Sequence, residues 1–143
     1  MSTGPWETGR LPEPLVPVED SFEGFLDLEW VEFGPESAHV RFAARDDLKQ
    51  PLGLVHGGIY CAVAETVASI ATAHAVWPEG YTASGLGNSA SFLRPVTAGR
   101  VDVRARLRHR GETEWFWSHD FAGEDGRLCA RVDVTIAVRP RPT

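Results

Sequence analysis

The chain has 143 residues, enough for one domain with its own hydrophobic core. Hydrophobic residues make up 43% of it and charged residues 24%, which is usual for a soluble globular protein. The formal charge of −6 disfavours nucleic-acid binding, because such binding needs an excess of positive charge. The two cysteines, Cys61 and Cys129, are too few for a disulfide framework, so we expect reduced thiols and a cytoplasmic location.

The first part of the chain is rich in proline. Residues 1–20 contain four prolines and no continuous apolar stretch, which predicts a flexible tail rather than a signal peptide. We place one domain at residues 21–139 and a second flexible segment at residues 140–143. The apolar stretch after residue 58 contains several polar side chains, so we expect no membrane span.

The domain begins with two segments of alternating apolar and polar residues, Phe25–Phe33 and 38–45, which predict a β-hairpin. A loop follows, and then a helix over Gly58–Val76 that ends at a Trp-Pro-Glu-Gly sequence. Four further strands are predicted over residues 82–96, 99–110, 114–121 and 127–139. This order predicts an α+β fold, an antiparallel sheet with one long helix on its face.

The long helix has no polar face, and Glu65 is its single charged side chain. A helix that is apolar all round is typically buried, so either the sheet wraps it or the sheet and a partner enclose it. Burying an unpaired carboxylate costs free energy or raises its pKa, and such carboxylates cluster at functional sites. Glu65 is therefore a candidate catalytic residue. The alternative interpretation is that it faces a wet crevice or pairs with a distant arginine.

His56, Gly57 and Gly58 come directly before this helix. The first N–H groups of a helix lack intrahelical partners, and the dipole favours negative charge there, which suits the oxyanion of acyl transfer. The short motif also fits an ordinary glycine loop. Glu65 follows Gly57 by eight residues, about 12 Å along the helix, which is too far for one acyl group to touch both. If both act on one carbonyl, the carboxylate must come from a second subunit.

A family resemblance rests on the VHGG turn, the acid eight residues past its first glycine, and the sequence SFLRPVTAG over Ser91–Gly99. Together they resemble the hotdog-fold acyl-CoA thioesterases of the PaaI-like group, closest to the 4-hydroxybenzoyl-CoA thioesterase type that uses glutamate. The resemblance covers Phe22–Val138. It implies a sheet wrapped around a central helix in a homodimer, with two dimers forming a homotetramer. It also implies hydrolysis of an acyl-CoA, and aryl acyl groups are among the candidate substrates. No metal or cofactor is implied, since coenzyme A belongs to the substrate.

The resemblance implies roles for individual residues. Gly57 polarises the thioester carbonyl through its N–H, and Glu65 of the neighbouring subunit is the nucleophile or the general base. Gln50 lies near the thioester, Ser69 orients water or the carboxylate, and His56 fixes the loop or lies near the thioester. The candidates for contacts with the substrate and its CoA are Gly58, Asn88, Ser89, Arg110, Gly111, Glu112 and Thr113.

Two strand patterns have simpler interpretations. Arg104, Arg106, Arg108 and Arg110 alternate along one predicted strand face and suit phosphate binding, but a solvated sheet face is favoured. A set of large residues with a two-residue period favours core packing over an acyl pocket: Trp115, Trp117, His119 and Phe121.

Two other functions stay open at this point. A non-catalytic acyl-CoA binder or sensor would have the same fold, although Glu65, Gln50 and Ser69 argue for catalysis. A thioester hydratase or dehydratase of this fold uses a D-x-x-x-P-x-H type of motif, which the sequence lacks. The histidines show no metal-ligand spacing, and Cys61 is interpreted as an inert thiol rather than a nucleophile.

Overall fold

The computed structural model describes residues 4–142, so the predictions for residues 1–3 and for Thr143 lie outside the described part of the chain. Six strands form one antiparallel sheet in the order β1-β2-β4-β5-β6-β3. The two α-helices are α1, Phe22–Leu26, and α2, Gly57–Val76. The strands are β1 Glu29–Phe33, β2 Ser37–Ala43, β3 Tyr81–Phe92, β4 Arg100–Arg110, β5 Glu114–Ala122 and β6 Leu128–Pro140. The predicted α+β order of two strands, one long helix and four strands is confirmed.

The short helix α1 replaces the start of the predicted first strand. The Ser21 hydroxyl accepts the Gly24 N–H at 3.2 Å and caps the helix, and Asp27 ends it in the left-handed conformation with φ of 52°. These caps favour a helical turn over Phe22–Leu26 that the apolar alternation does not show. As a result β1 begins only at Glu29 and has five residues.

Helix α2 lies on the inner face of the sheet and forms the core with it. Trp115 and Trp117 are 2% and 1% exposed, so the core packing that the sequence favoured for them is confirmed. The Trp117 indole N–H donates to the Thr72 hydroxyl at 2.9 Å, which satisfies both polar groups inside the core. By length and composition Gly57–Glu79 could cross a membrane, but half of its most apolar window is buried inside the domain.

A β-bulge in β4 changes the arginine pattern. The pairing with β5 shifts between Leu107 and His109, so Arg110 pairs with the buried Trp115 on the helix side of the sheet. Its guanidinium lies 4.6 Å from the Trp115 ring centroid. The prediction that all four arginines share one strand face is therefore wrong, because the extra residue reverses the alternation beyond Leu107.

The N-terminal segment lies against the domain from residue 4 onward. Pro5 is buried, and the Trp6 indole N–H donates to the Glu23 carboxylate at 2.8 Å. Burial raises the pKa of Glu23. Arg10 Nε donates to the His74 carbonyl at 3.0 Å and so caps the last turn of α2. The flexibility of residues 1–20 and 140–143 stays a prediction, but these contacts tie residues 5–10 to the domain.

Candidate active site

The N-terminus of α2 leaves one backbone donor free. His56 is the N-cap residue, and its Nδ1 accepts the Gly58 N–H at 2.8 Å. The Ile59 N–H donates to the His56 carbonyl at 2.9 Å. Within residues 4–142 the Gly57 N–H has no acceptor. This single unpaired donor lies at the positive end of a 20-residue helix, where an oxyanion is stabilised.

His56 fixes this arrangement through its side chain. A ring nitrogen that accepts an N–H carries no proton, so the neutral imidazole holds its proton on Nε2. The His56 N–H also donates to the Leu48 carbonyl at 2.9 Å, which ties the residue to the preceding loop. Because the ring takes up the Gly58 N–H, Gly58 has no backbone donor left for a ligand.

A tight hairpin holds Gln50 directly before the helix. The Gly53 N–H donates to the Gln50 carbonyl at 2.9 Å, and the Gln50 N–H donates to the Leu54 carbonyl at 2.8 Å. The Gln50 side-chain oxygen accepts the Leu52 N–H. With its oxygen occupied inside the hairpin, the Gln50 amide offers its NH₂ group as a donor to a ligand.

The Glu65 side chain is exposed in the single chain, because the sheet covers only one side of α2. The sheet alone therefore does not enclose the helix, which leaves the expected alternative of a sheet and a partner together. The uncovered side is a stripe of small residues around the carboxylate, and Ser69 lies on it one turn after Glu65. Its members are exposed or half-buried: Gly58, Cys61, Ala62, Glu65 and Ser69. No ion pair or hydrogen bond to Glu65 occurs within residues 4–142, so the carboxylate is available to a ligand or a partner.

Strand β3 runs beside this stripe and touches it at both ends of the site. An added Cβ at Gly85 would lie 2.6 Å from Glu65 Oε1, and one at Gly57 would lie 2.9 Å from the Phe92 ring. Both glycines therefore allow a close approach that any side chain would disturb. The register of β3 also shifts between Gly85 and Gly87, which confirms that the glycines of this strand allow a bulge and close contact.

The register of β3 separates two of the candidate residues. Asn88 pairs with the buried Val134 and therefore lies on the helix face, between Gly85 and Phe92. Ser89 pairs with Asp133 on the outer face of the sheet. The sequence singled out both serine and asparagine but not Phe92, since its contact with Gly57 depends on a strand register that the sequence does not show.

The turn at residues 110–113 lies elsewhere. The Gly111 N–H donates to the Glu114 carbonyl at 2.9 Å and closes the turn between β4 and β5. The four candidates line an open cavity of about 660 Å³ whose wall also includes Val76, at the C-terminal end of α2. That end is about 28 Å from Gly57 along the helix. One chain therefore does not bring Arg110, Gly111, Glu112 and Thr113 to the free N–H group.

Within residues 4–142 two histidines are buried, His39 and His119, and the environment of His119 is structural. His119 is fully buried, its Nδ1 lies 3.0 Å from the Val132 carbonyl, and burial lowers its pKa to about 4. It is therefore neutral at pH 7. In the part of the chain that the structure describes, no group of three His, Cys, Asp or Glu side chains is placed to hold a metal ion.

Comparison with known proteins agrees with this geometry. The profile of the Thioesterase superfamily matches residues 52–130. The 1,4-dihydroxy-2-naphthoyl-CoA hydrolase of Escherichia coli is 30% identical over 127 residues, which cover 84% of this chain and 88% of the relative.

Two solved structures are similar over most of the fold. A thioesterase from Pseudomonas aeruginosa, crystallised with a glutamine changed to alanine, is 31% identical with a TM-score of 0.82, covering 87% of this chain and 89% of that one. A Haemophilus influenzae thioesterase is 32% identical with a TM-score of 0.80, covering 86% and 85%. The chain therefore belongs to the Thioesterase superfamily, with the hotdog fold and the thioester-hydrolase activity of that family.

Proposed function

We propose that the protein hydrolyses an acyl-CoA to a free carboxylic acid and CoA at a site shared by two copies of the chain. The observation that carries this proposal is the pair formed by the Gly57 N–H and the Glu65 carboxylate, neither of which has a partner within residues 4–142. One is a donor for a developing oxyanion, and the other is a base or nucleophile. Since about 12 Å of helix separates them, one carbonyl reaches both only when a second copy supplies the other group.

The chemistry follows from these two groups. The thioester oxygen accepts the Gly57 N–H, which stabilises the negative charge that grows on it; losing such a donor typically slows a reaction roughly 100- to 1000-fold. The partner subunit's Glu65 then acts by one of two routes. It attacks the carbonyl carbon and forms an anhydride that water later cleaves, or it takes a proton from water that attacks directly. In both routes the C–S bond breaks and CoA leaves as a thiolate that takes up a proton.

Two further side chains support this arrangement. The free NH₂ of Gln50, held by its hairpin ahead of the helix, is a second donor for the thioester. Ser69, one turn beyond Glu65 on the same stripe, is placed to orient the carboxylate or the water. Asn88 lies on the helix face of β3 between the two ends of the site and is a candidate contact for the substrate.

The properties of strand β3 support the proposal of a second copy. β3 is an edge strand of 12 residues without a charged side chain, and it exposes Leu86 to 55% and Phe92 to 56%. Uncharged long edges pair readily with another strand, and natural proteins seldom leave them open. A homodimer formed along β3 would extend the sheet and bring the stripe on α2 next to its copy. Two such dimers would make the homotetramer that the family resemblance implies.

The finer properties of the substrate are also proposals. An aryl acyl group is supported by the name of the Escherichia coli relative, which acts on a naphthoyl-CoA. The turn at residues 110–113, with one arginine and a large cavity, is a candidate for contacts with the CoA nucleotide. The free thiols of Cys61 and Cys129 support a reduced, cytoplasmic environment.

The first test follows thiol release from aryl-, medium- and long-chain acyl-CoAs. Glu65→Ala and Glu65→Gln should each lower kcat/KM by about 100-fold or more. Glu32→Gln, which changes an exposed glutamate in β1, is the matched control and should leave activity unchanged. Release that survives both Glu65 substitutions contradicts this role, and saturable binding without release favours a non-catalytic sensor.

The shared site is tested by mixing two inactive variants. Glu65→Gln keeps Gly57 intact, and Gly57→Val keeps Glu65 intact. Refolding them together should restore about a quarter of wild-type activity, because half of the dimers are mixed and each mixed dimer has one complete site. A mixture that stays inactive although mixed dimers form would contradict a site built from two chains.

A further inference from the structure

Phe92 places an aromatic ring directly against the oxyanion donor. Three ring carbons lie 2.9–3.4 Å from where a Cβ on Gly57 would stand, so the ring edge is in contact with the glycine itself. Phe92 is the last residue of β3 and shares the helix face of the sheet with its partner Ala130. The ring is thus beside the Gly57 N–H, which has no acceptor in the part of the chain that the structure describes.

The buried side of the ring is held firmly. Its centroid lies 5.9 Å from that of Tyr60, which is 3% exposed and packs edge-on against Phe121 at 5.1 Å. Gly57 on one side and Tyr60 behind it leave the Phe92 ring little freedom. The rest of the side chain is open in the single chain, where the residue is 56% exposed. Because the ring is already fixed, little side-chain conformational entropy is lost when a ligand contacts it.

A carbonyl bound at Gly57 would lie close to the Phe92 ring, because the ring contacts the same residue. Its oxygen would sit about 3 Å from the glycine nitrogen. Aromatic contacts extend over about 4.5–7 Å between ring centroids, so an aryl acyl group on that carbonyl is within reach of the exposed part of the ring. We propose that Phe92 is a specificity residue that favours aryl over saturated acyl groups through this contact. The inference rests on the proposed function, because it takes Gly57 as the donor to the thioester.

The test compares benzoyl-CoA with hexanoyl-CoA as substrates of the wild type and of Phe92→Leu. Leucine keeps an apolar side chain of similar reach but removes the ring face. We expect kcat/KM for benzoyl-CoA to fall roughly 3- to 10-fold, the value of one aromatic pair, and that for hexanoyl-CoA to change less than about twofold. Leu93→Ala is the control, since Leu93 is the next residue along the chain and is similarly exposed at 55%, and it should leave the ratio of the two substrates unchanged.

Several outcomes would overturn the inference. An equal fall for both substrates would show that Phe92 supports Gly57 or contacts the CoA arm rather than the acyl group. No change for either substrate would show that the ring does not meet the acyl group. Dissociation of the dimer by Phe92→Leu, seen in sedimentation, with an unchanged ratio would assign the ring to the subunit interface.

The proposed function can fail separately from this inference. If the wild type hydrolyses no acyl-CoA, the proposal of hydrolysis is wrong. The Kd values of benzoyl-CoA and hexanoyl-CoA for the wild type and for Phe92→Leu, measured by calorimetry, then decide the role of the ring. Selective loss of benzoyl-CoA binding supports it, and an unchanged ratio of the two Kd values contradicts it.

Discussion

The two edges of the sheet differ in length, in charge and in cover by another segment, although both strands contain a register shift. β1 has five residues, two of them glutamate. The N-terminal segment also packs against it. β3 has 12 residues and no charge, and it exposes large apolar side chains. Short length, charge, bulges and covering segments are the usual ways to keep an edge from pairing.

This difference shows which edge of the sheet is available for pairing with a second copy and which is not. The β1 edge is short and charged, and the N-terminal segment of the same chain packs against it. The β3 edge is open at the same place as Glu65 and Gly57, which both contact this strand. The unprotected edge thus lies beside the two groups that one carbonyl does not reach within a single chain, as the proposed dimer requires.

The largest effect is expected from a charge on the open edge. Leu86→Lys should produce a monomer and lower kcat/KM by about 100-fold or more, because a lysine on an edge strand opposes pairing and separates Gly57 from the partner subunit's Glu65. Sedimentation velocity and thiol release measure the two effects, and circular dichroism shows whether the fold is retained.

The matched substitution on the closed edge is Val31→Lys, at a residue that is 40% exposed. It should leave both the oligomeric state and the activity unchanged. If the two lysine variants behave alike, the contrast between the edges has no functional meaning.

A smaller effect is expected inside the site, from Gly85→Ala. The new methyl group would meet Glu65 Oε1 at 2.6 Å, and since this atom ends a flexible side chain, the carboxylate should move while the fold stays intact. We expect kcat to fall about 10-fold or more, because a displacement of about 1 Å is enough to misalign a catalytic group. Gly87→Ala, which meets nothing within 4 Å, is the control and should keep nearly full activity. Equal activity of the two variants would contradict a catalytic role for Glu65.

The smallest effect concerns the closed edge and its covering segment. Arg10→Ala removes the bond to the His74 carbonyl and should lower the free energy of unfolding by about 1 kcal/mol. Activity and oligomeric state should stay as in the wild type, because this contact lies at the end of α2 away from Gly57. Thermal unfolding and thiol release give the two readouts. A loss of activity without a loss of stability would contradict the claim that the β1 edge contributes to stability and the β3 edge to activity.

The same variant has a predictable pH dependence. Burial, and then the charge of Arg10, lower the pKa of His74 below its ordinary 6.5. His74 therefore contributes stability above that pH, and the contribution is lost as pH falls through its pKa in the folded protein. Without Arg10 the pKa should rise, so Tm should fall less between pH 7.5 and pH 5 than in the wild type. An unchanged or larger fall would show that Arg10 does not act on His74.

The sequence predicted the order of the elements and the length of α2 because both depend on local periodicity. It did not predict α1, since the caps at Ser21 and Asp27 outweigh the alternation there. The sequence did not predict that Glu65 is exposed in the single chain, because composition shows how apolar a helix is but not how much of it a six-stranded sheet covers. The contacts of Gly85 and Phe92 with α2 depend on strand register and on the bulges, which no local pattern specifies.

The separation of eight positions between Gly57 and Glu65 has a consequence for the protein at low abundance. If neither half of the chemistry works alone, the rate per molecule is constant only while copies stay associated. Upon dilution below the dissociation constant of the dimer the turnover per chain should decline, and total output then rises with the square of protein concentration. Such a catalyst would switch on with its own expression level, without any effector.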